Sequence, residues 1–178
     1  MKIIAFVRRP GETVTMPPRI EAIPDSAITV PNRPLFLPDF SAEWSGNVCP
    51  AYRISRLGKE IGRRFASRYY DAVTLALRIH PVDIVPCGIC SVFDSCVTLG
   101  EWLPLQEGNL EVGYAGLTLS LTPEEIDIDG AIEAISHYCT LKTGDIVMPC
   151  VLPVTFPLIP DHPLTATLGA STFTVKIK

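Results

Sequence analysis

Six cysteines give this chain its widest chemical range: Cys49, Cys87, Cys90, Cys96, Cys139 and Cys150. Cys87-Gly-Ile-Cys90 is a Cys-x-x-Cys, a spacing that lets two thiolates share one zinc ion or form a redox dithiol. Structural zinc sites usually carry two such pairs, and this chain has one. Cys96, Cys49 and His80 are the candidates to complete a ligand set. The same thiols also suit the role of small apolar side chains beside a core. His80 and His137 border apolar segments and read as hydrogen-bonded structural residues. His162, between Asp161 and Pro163, reads as part of a turn. Arg78 interrupts an apolar run, and its permanent charge requires a partner. Asp83, Asp94 and Glu43 are the candidate acids. Arg53, Arg56, Arg63, Arg64 and Arg68 read as a solvated basic face.

The chain that must position these groups has 178 residues, within the range of one domain, taken here as residues 1–178. Apolar residues make up 47% and charged residues 19%, enough to bury a core and too apolar for a disordered tail. Fifteen basic side chains against 19 acidic ones leave a net charge of −4, so no basic surface for nucleic acid is expected. The 17 prolines, about twice average usage, argue against a helix bundle and for strands and loops. Met1 to Val7 is too short for a secretory leader. The most apolar stretch, Ile146 to Ile159, is too short and too proline-rich to span a membrane. A cytoplasmic protein with reduced thiols and no membrane partner is expected.

Met1 to Val7 reads as an opening strand. Gly11 to Pro38 reads as an extended looping segment with short strands at Ala27–Val30 and Leu35–Leu37. Asn47 to Ile54 reads as an edge or bulged strand because of Pro50. Lys59 to Tyr70 places Ile61, Phe65 and Tyr69 at helical spacing. Ala72 to Ile79 reads as a buried strand carrying Arg78, followed by a loop from Pro81 to Cys90. A short strand at Val97–Leu99 precedes one long strand from Leu110 to Leu121. A helix from Asp129 to Tyr138, with Asp129 as N-cap, leads through a Lys142–Asp145 turn to a strand at Ile146–Met148. At the end of the chain Phe173, Val175 and Ile177 alternate with Thr174, Lys176 and Lys178, the pattern of a half-buried strand.

Five blocks, in order along the chain, resemble the catalytic domain of the fumarylacetoacetate hydrolase family, closest to its short single-domain bacterial members. They are Met1-Lys-Ile-Ile-Ala5; Pro38-Asp-Phe-Ser41 with Tyr52-Arg-Ile-Ser-Arg-Leu-Gly-Lys59; and Phe65-Ala-Ser-Arg-Tyr-Tyr-Asp-Ala-Val73. Phe93-Asp-Ser-Cys-Val-Thr-Leu-Gly-Glu-Trp102 and Ile135-Ser-His-Tyr-Cys-Thr-Leu-Lys-Thr-Gly-Asp-Ile-Val147 complete the set. The resemblance implies an α+β, mostly β fold of mixed rolled sheets with a few short helices, assembled as a homodimer. It implies enzymes that cleave or rearrange acylpyruvate-like 2-oxo acids. In them Mg²⁺ or Mn²⁺ is held by a Glu-x-Glu on one strand and an aspartate on the next, since residues two apart share a face.

At the matching positions this chain departs from that pattern. Carried over without a gap, the Glu-x-Glu falls on Asn47 and Cys49, and the aspartate on Arg78. The stretch that in the family holds a general-base His-Glu pair matches Arg9, Pro10, Thr13 and Met16. The lysine before Phe-Asp is replaced by Ser91 and Val92, and the pocket's Gly-Thr-Pro turn by Met148-Pro-Cys-Val151. The connector from Asp83 to Phe93 is shorter than usual. Arg9, Thr13, Asn47, Cys49, Arg78 and Ser91 are therefore expected to form a degenerate pocket with no catalytic residue and no metal or other cofactor. The expected function is a non-catalytic family member with a binding or scaffold role. Arg78 either meets a carboxylate of the chain or clamps a small anionic ligand. The alternatives are an active hydrolase, isomerase or decarboxylase of 2-oxo acids with a rebuilt site, and a zinc or thiol protein using Cys49, Cys87 and Cys90.

Overall fold

The structure is a computed structural model that describes residues 1–8, 19–29, 33–84, 88–105, 108–114, 117–151, 155–169 and 171–178. The fold is α+β and mostly β, with two sheets. The larger contains β1 (Lys2–Arg8), β2 (Arg19–Pro24), β3 (Ile28–Thr29), β4 (Trp44–Ile54), β5 (Tyr70–Pro81) and β6 (Val97–Leu99). It is completed by β9 (Ile146–Val151) and β10 (Thr155–Pro157). The smaller contains β7 (Leu110–Tyr114), β8 (Leu117–Leu121), β11 (Leu164–Leu168) and β12 (Ser171–Val175). Helices α1 (Pro123–Ile126) and α2 (Ile128–Tyr138) precede β9.

The large sheet runs β2-β1-β9-β4-β5-β6-β3, with β10 also pairing β4. Its opening strand sorts its side chains by alternation. Ile3 and Ala5 join the larger apolar cluster, whereas Ile4 and Phe6 join a second one with Ile61, Ile132, Ile135 and Leu141. β1 runs parallel to β9, with Ile3 beside Ile146 and Val7 beside Cys150. β4 and β5 form the longest antiparallel pair, from Trp44–Pro81 to Ile54–Tyr70, with a bulge between Arg53 and Ile54.

Several expectations need correction. β4 has the expected bulge but is not an edge strand: β5 pairs with one side, and β10 and β9 with the other. Pro50 is tolerated because β10 reaches only Ser45–Asn47 and β9 only Tyr52–Arg53. The β9 register, carried on, also sets Pro149 opposite Pro50, so two residues without N–H groups face each other where the ladder breaks. Lys59–Tyr70 is no α-helix but a short 3₁₀ turn at Arg63–Arg68, which leaves Phe65 exposed under the guanidinium groups of Arg64 and Arg68. The segment 110–121 is a hairpin rather than one strand, since Tyr114 pairs with Leu117.

Thr122 caps α1 in a reciprocal box with Glu125, and Asp127 rather than Asp129 caps α2 by accepting from Gly130 N. Asp129 instead accepts from the Tyr70 hydroxyl, 3.1 Å away. β10 and β11 had no counterpart in the sequence reading. Leu35 makes only a bridge to Ile177 rather than a strand. The C-terminal alternation stands as read: Phe173, Val175 and Ile177 are buried.

Asp145 ties the start of β1 to the turn before β9. Its buried carboxylate accepts from the backbone N–H of Lys142 at 2.8 Å and of Lys2 at 3.1 Å, and from the Lys2 ammonium. Burial works against its charge, but these donors outweigh that and hold its pKa below the ordinary value. The substitution Asp145→Ala strands these donors and should cost about 2–4 kcal/mol, measurable by urea denaturation at pH 7.

Candidate functional site

Alternation along β4 and β5 builds one wall of a cavity of about 650 Å³. The register places Ser45 opposite His80, Asn47 opposite Arg78 and Cys49 opposite Ala76, so these side chains share a face. Ser45, Asn47, Arg78 and His80 line the cavity. Arg19, Glu21, Val7 and Cys150 contribute from β2, β1 and β9, and Cys90, Ser91 and Val92 from the loop beyond β5.

The partner of Arg78 is Glu21, which corrects the expectation of Asp83, Asp94 or Glu43. Asp83 is taken up elsewhere, accepting from the Ser41 hydroxyl and from Ala42 N at 2.9 Å. Glu21 accepts from an Arg78 guanidinium N–H, from the Ser91 hydroxyl at 3.3 Å and from Arg19 Nε at 2.9 Å. Arg78 is only 2% exposed. Burial opposes the charge of Glu21, but Arg78 and Arg19 outweigh it and hold the carboxyl below its ordinary pKa. Burial likewise opposes the charge of Arg78, and Cys150 and Glu21 overcome it. In sheet order β2 lies four strands from β5, about 19 Å away in a flat sheet at ~4.8 Å per strand. Direct contact therefore shows that the sheet is rolled, with the cavity inside the roll.

Cys49 and Cys150 meet at the floor of this region, with their Sγ atoms 3.3 Å apart and both side chains buried. The β4–β9 register, extended beyond Tyr52–Val147, sets them directly opposite each other. The hydrogen bond between them holds Cys49 protonated and favours ionisation of Cys150, which the Arg78 charge also favours. Cys96 stands apart, pushed up to about 11 by burial, and donates to Ser91 O at 3.7 Å.

Of the pocket positions read from sequence, Asn47, Arg78 and Ser91 line the cavity and Cys49 lies just behind its wall. Arg9 and Thr13 lie outside the described residues, as does Cys87. Among the described residues no three His, Cys, Asp or Glu side chains converge as ion ligands. His137 pairs with Glu60, and His162 sits against Pro160 O in a turn. Glu21 was missed because its strand lies in a proline-rich stretch. The only local sign of β2 was Ile20 and Ile23 flanking it. The thiol pair was also missed, although Cys49-Pro50 and Pro149-Cys150 are mirror dipeptides that an antiparallel register would superpose.

Solved structures match this architecture over nearly its whole length. A protein assigned to the fumarylacetoacetate hydrolase family from Yersinia pestis CO92 is 18% identical, with a TM-score of 0.87 over 99% of this chain and 92% of that one. The chain has the fold of the fumarylacetoacetate hydrolase family. The 2-hydroxyhepta-2,4-diene-1,7-dioate isomerase of Mycobacterium marinum is 20% identical, with a TM-score of 0.85 over 99% of this chain and 73% of that one. A fumarylpyruvate hydrolase from Pseudomonas aeruginosa, solved with Mn²⁺ and pyruvate, is 14% identical, with a TM-score of 0.83 over 99% and 89% of the two chains. No sequence-family model matches this chain, and no curated protein is similar to it in sequence.

The divalent ion implied by the fumarylacetoacetate hydrolase fold does not suit the residues present. The fold supplies the required geometry, two side chains two apart on β4 and a third opposite on β5. Their chemistry is wrong: an amide, a thiol turned toward another thiol, and a guanidinium. A unit pair at 4 Å is worth about 4 kcal/mol at an effective dielectric of 20, so Arg78, even with its charge balanced by Glu21, forfeits the attraction an acid would give a divalent ion at that position. Asn47 offers one neutral oxygen, and thiols are poor ligands for Mg²⁺ or Mn²⁺.

His80 carries a pH signature. Burial, and then the Arg78 charge, depress its pKa from 6.5 to about 4. The unfolded chain therefore takes up a proton at His80 that the folded chain refuses in that window, and stability falls as pH drops from 6.5 towards 4. The expected loss is about 3 kcal/mol. In urea titrations across this range, His80→Gln should flatten the slope by that amount.

Proposed function

We propose that this chain is a member of the fumarylacetoacetate hydrolase family that does not run a metal-dependent reaction. Instead its cavity binds a small carboxylate, in the size class of a 2-oxo acid, by charge. The observation that carries this reading is the Arg78–Glu21 pair, with a fixed cation on the strand position opposite Asn47 where relatives would need an acid. A buried guanidinium neutralised by the chain's own carboxylate supplies the positive end that a metal would otherwise supply, without Lewis acidity. Two arginines, Arg19 and Arg78, face one glutamate among the described lining residues, so the cavity keeps a net positive charge while His80 and the Cys150 thiol are both neutral. Arg19, with its side chain 63% exposed, is placed to meet an anion first.

Glu21 holds Arg19 and Arg78 in position, so an incoming carboxylate meets pre-placed cations rather than solvated side chains. Protonated His80 would add charge only near pH 4, so binding should vary little from pH 6 to 8 on its account. The donor set supports the non-catalytic reading. Described residues around the cavity offer no carboxylate pair for a divalent ion, and Glu21 is engaged by two arginines, which makes it a weak base.

Calorimetry with Mn²⁺, pyruvate and oxaloacetate tests this. Mn²⁺ should show no micromolar site, whereas the 2-oxo acids should bind. Arg19→Ala should weaken their binding about fivefold, the effect of roughly 1 kcal/mol at an exposed charge. A micromolar Mn²⁺ site abolished by Asn47→Ala, or turnover of acylpyruvates above background, would overturn it.

A further inference from the structure

Cys49 and Cys150 have no part in carboxylate binding, yet their placement is specific. They come from strands 101 residues apart in sequence and are brought to 3.3 Å. Directly opposed residues on antiparallel strands have Cα atoms about 4.5–5.5 Å apart, inside the range that a disulfide spans. Pro50 and Pro149 break the β4–β9 ladder beside them, so no backbone hydrogen bond at that pair resists the small approach that bond formation requires. Cys150 is among the residues that line the cavity, although only 2% of it is exposed, and Cys49 lies behind it. The Arg78 guanidinium lies beside Cys150, the kind of cationic neighbour that makes a thiol reactive.

We propose that Cys49 and Cys150 are a redox-active dithiol that a hydroperoxide entering the cavity converts to a disulfide joining β4 to β9. Cys150 is the attacking residue. Its thiolate attacks one peroxide oxygen, the O–O bond breaks, and the departing hydroxide or alkoxide takes up a proton to leave as water or alcohol. Cys150 is left as a sulfenic acid. The Cys49 thiol then loses its proton and its sulfur attacks Cys150 Sγ. The S–O bond breaks, and hydroxide leaves as a second water. Two thiols lose two electrons and the peroxide gains them; an external dithiol reverses the change. Cys49 Sγ already lies 3.3 Å from Cys150 Sγ, so the internal partner is the one that resolves the intermediate. The reaction does not depend on what the cavity otherwise binds.

The test is titration of the full-length protein with hydrogen peroxide, followed by alkylation under denaturing conditions and peptide mapping. The expected product has lost about 2 Da in a linked Cys49–Cys150 peptide pair and is restored by dithiothreitol. Because the bond closes a loop of about 100 residues, the oxidised protein should melt about 10 °C higher. Cys49→Ser should stop at a sulfenic acid on Cys150, trapped by dimedone, whereas Cys150→Ser should leave Cys49 a thiol at the same dose. Full alkylation of Cys49 and Cys150 in wild-type protein, under a dose that oxidises Cys87, Cys90 or Cys139, would overturn the proposal. So would equal sulfenic acid formation on Cys49 in Cys150→Ser. The wild-type map decides the matter even if a serine variant fails to fold.

Discussion

A guanidinium cannot shed its charge when it is buried, so the fold must bring a carboxylate to Arg78. The one it brings is Glu21, from a strand four places away in the sheet. The rolled sheet makes that contact possible, and much of the site follows from the roll. The inner faces of β1, β2, β4, β5 and β9 converge, a cavity opens between them, and the two thiols are left on its floor. Removal of one partner of a buried ion pair commonly costs about 3–5 kcal/mol. The pair therefore depends on the curvature of the sheet and sets the electrostatics of the site.

The pair also explains how one scaffold can change its chemistry without changing its shape. Two residues on β4 and one on β5 stay in register whatever their side chains are, because backbone pairing holds them. Acids at such positions would repel one another unless a cation joined them. Asn47, Cys49 and Arg78 have no such need. Positive charge arrives covalently attached and is balanced by a neighbour of the same chain, so the wall is complete as folded.

Features that depend on near neighbours in the chain were largely legible in the sequence. The alternation of Phe173, Val175 and Ile177, the apolar run of β5 with its lone arginine, and the Lys142–Asp145 turn all declared themselves locally. The order of short blocks along the chain pointed to the right fold class. Features set by pairing over long distances were not legible. Glu21 became the partner of Arg78 only through curvature, and nothing within the Arg19–Pro24 segment specifies that. Asp83 was the nearer acid in sequence but is consumed by Ser41 and Ala42. The Cys49–Cys150 contact required a register between strands 101 residues apart. The start of α2 failed for a more local reason: two aspartates stand two residues apart, and the one that caps is Asp127, which accepts from Gly130 N.

The parallel pairing of β1 with β9 sets an order of events in time. Ile3 and Ile146 are neighbours in the sheet but lie at opposite ends of most of the chain. β1 can pair early with β2, its antiparallel partner nearby in sequence. Its other edge stays open until β9 has been synthesised, and Ile3, Ile4, Ala5 and Phe6 remain short of their final cover until then. Contacts of such long sequence separation slow folding and lengthen the exposure of an unpaired, apolar strand edge. A ribosome-bound chain of this fold thus carries an apolar strand with one open edge until the residues of β9 emerge.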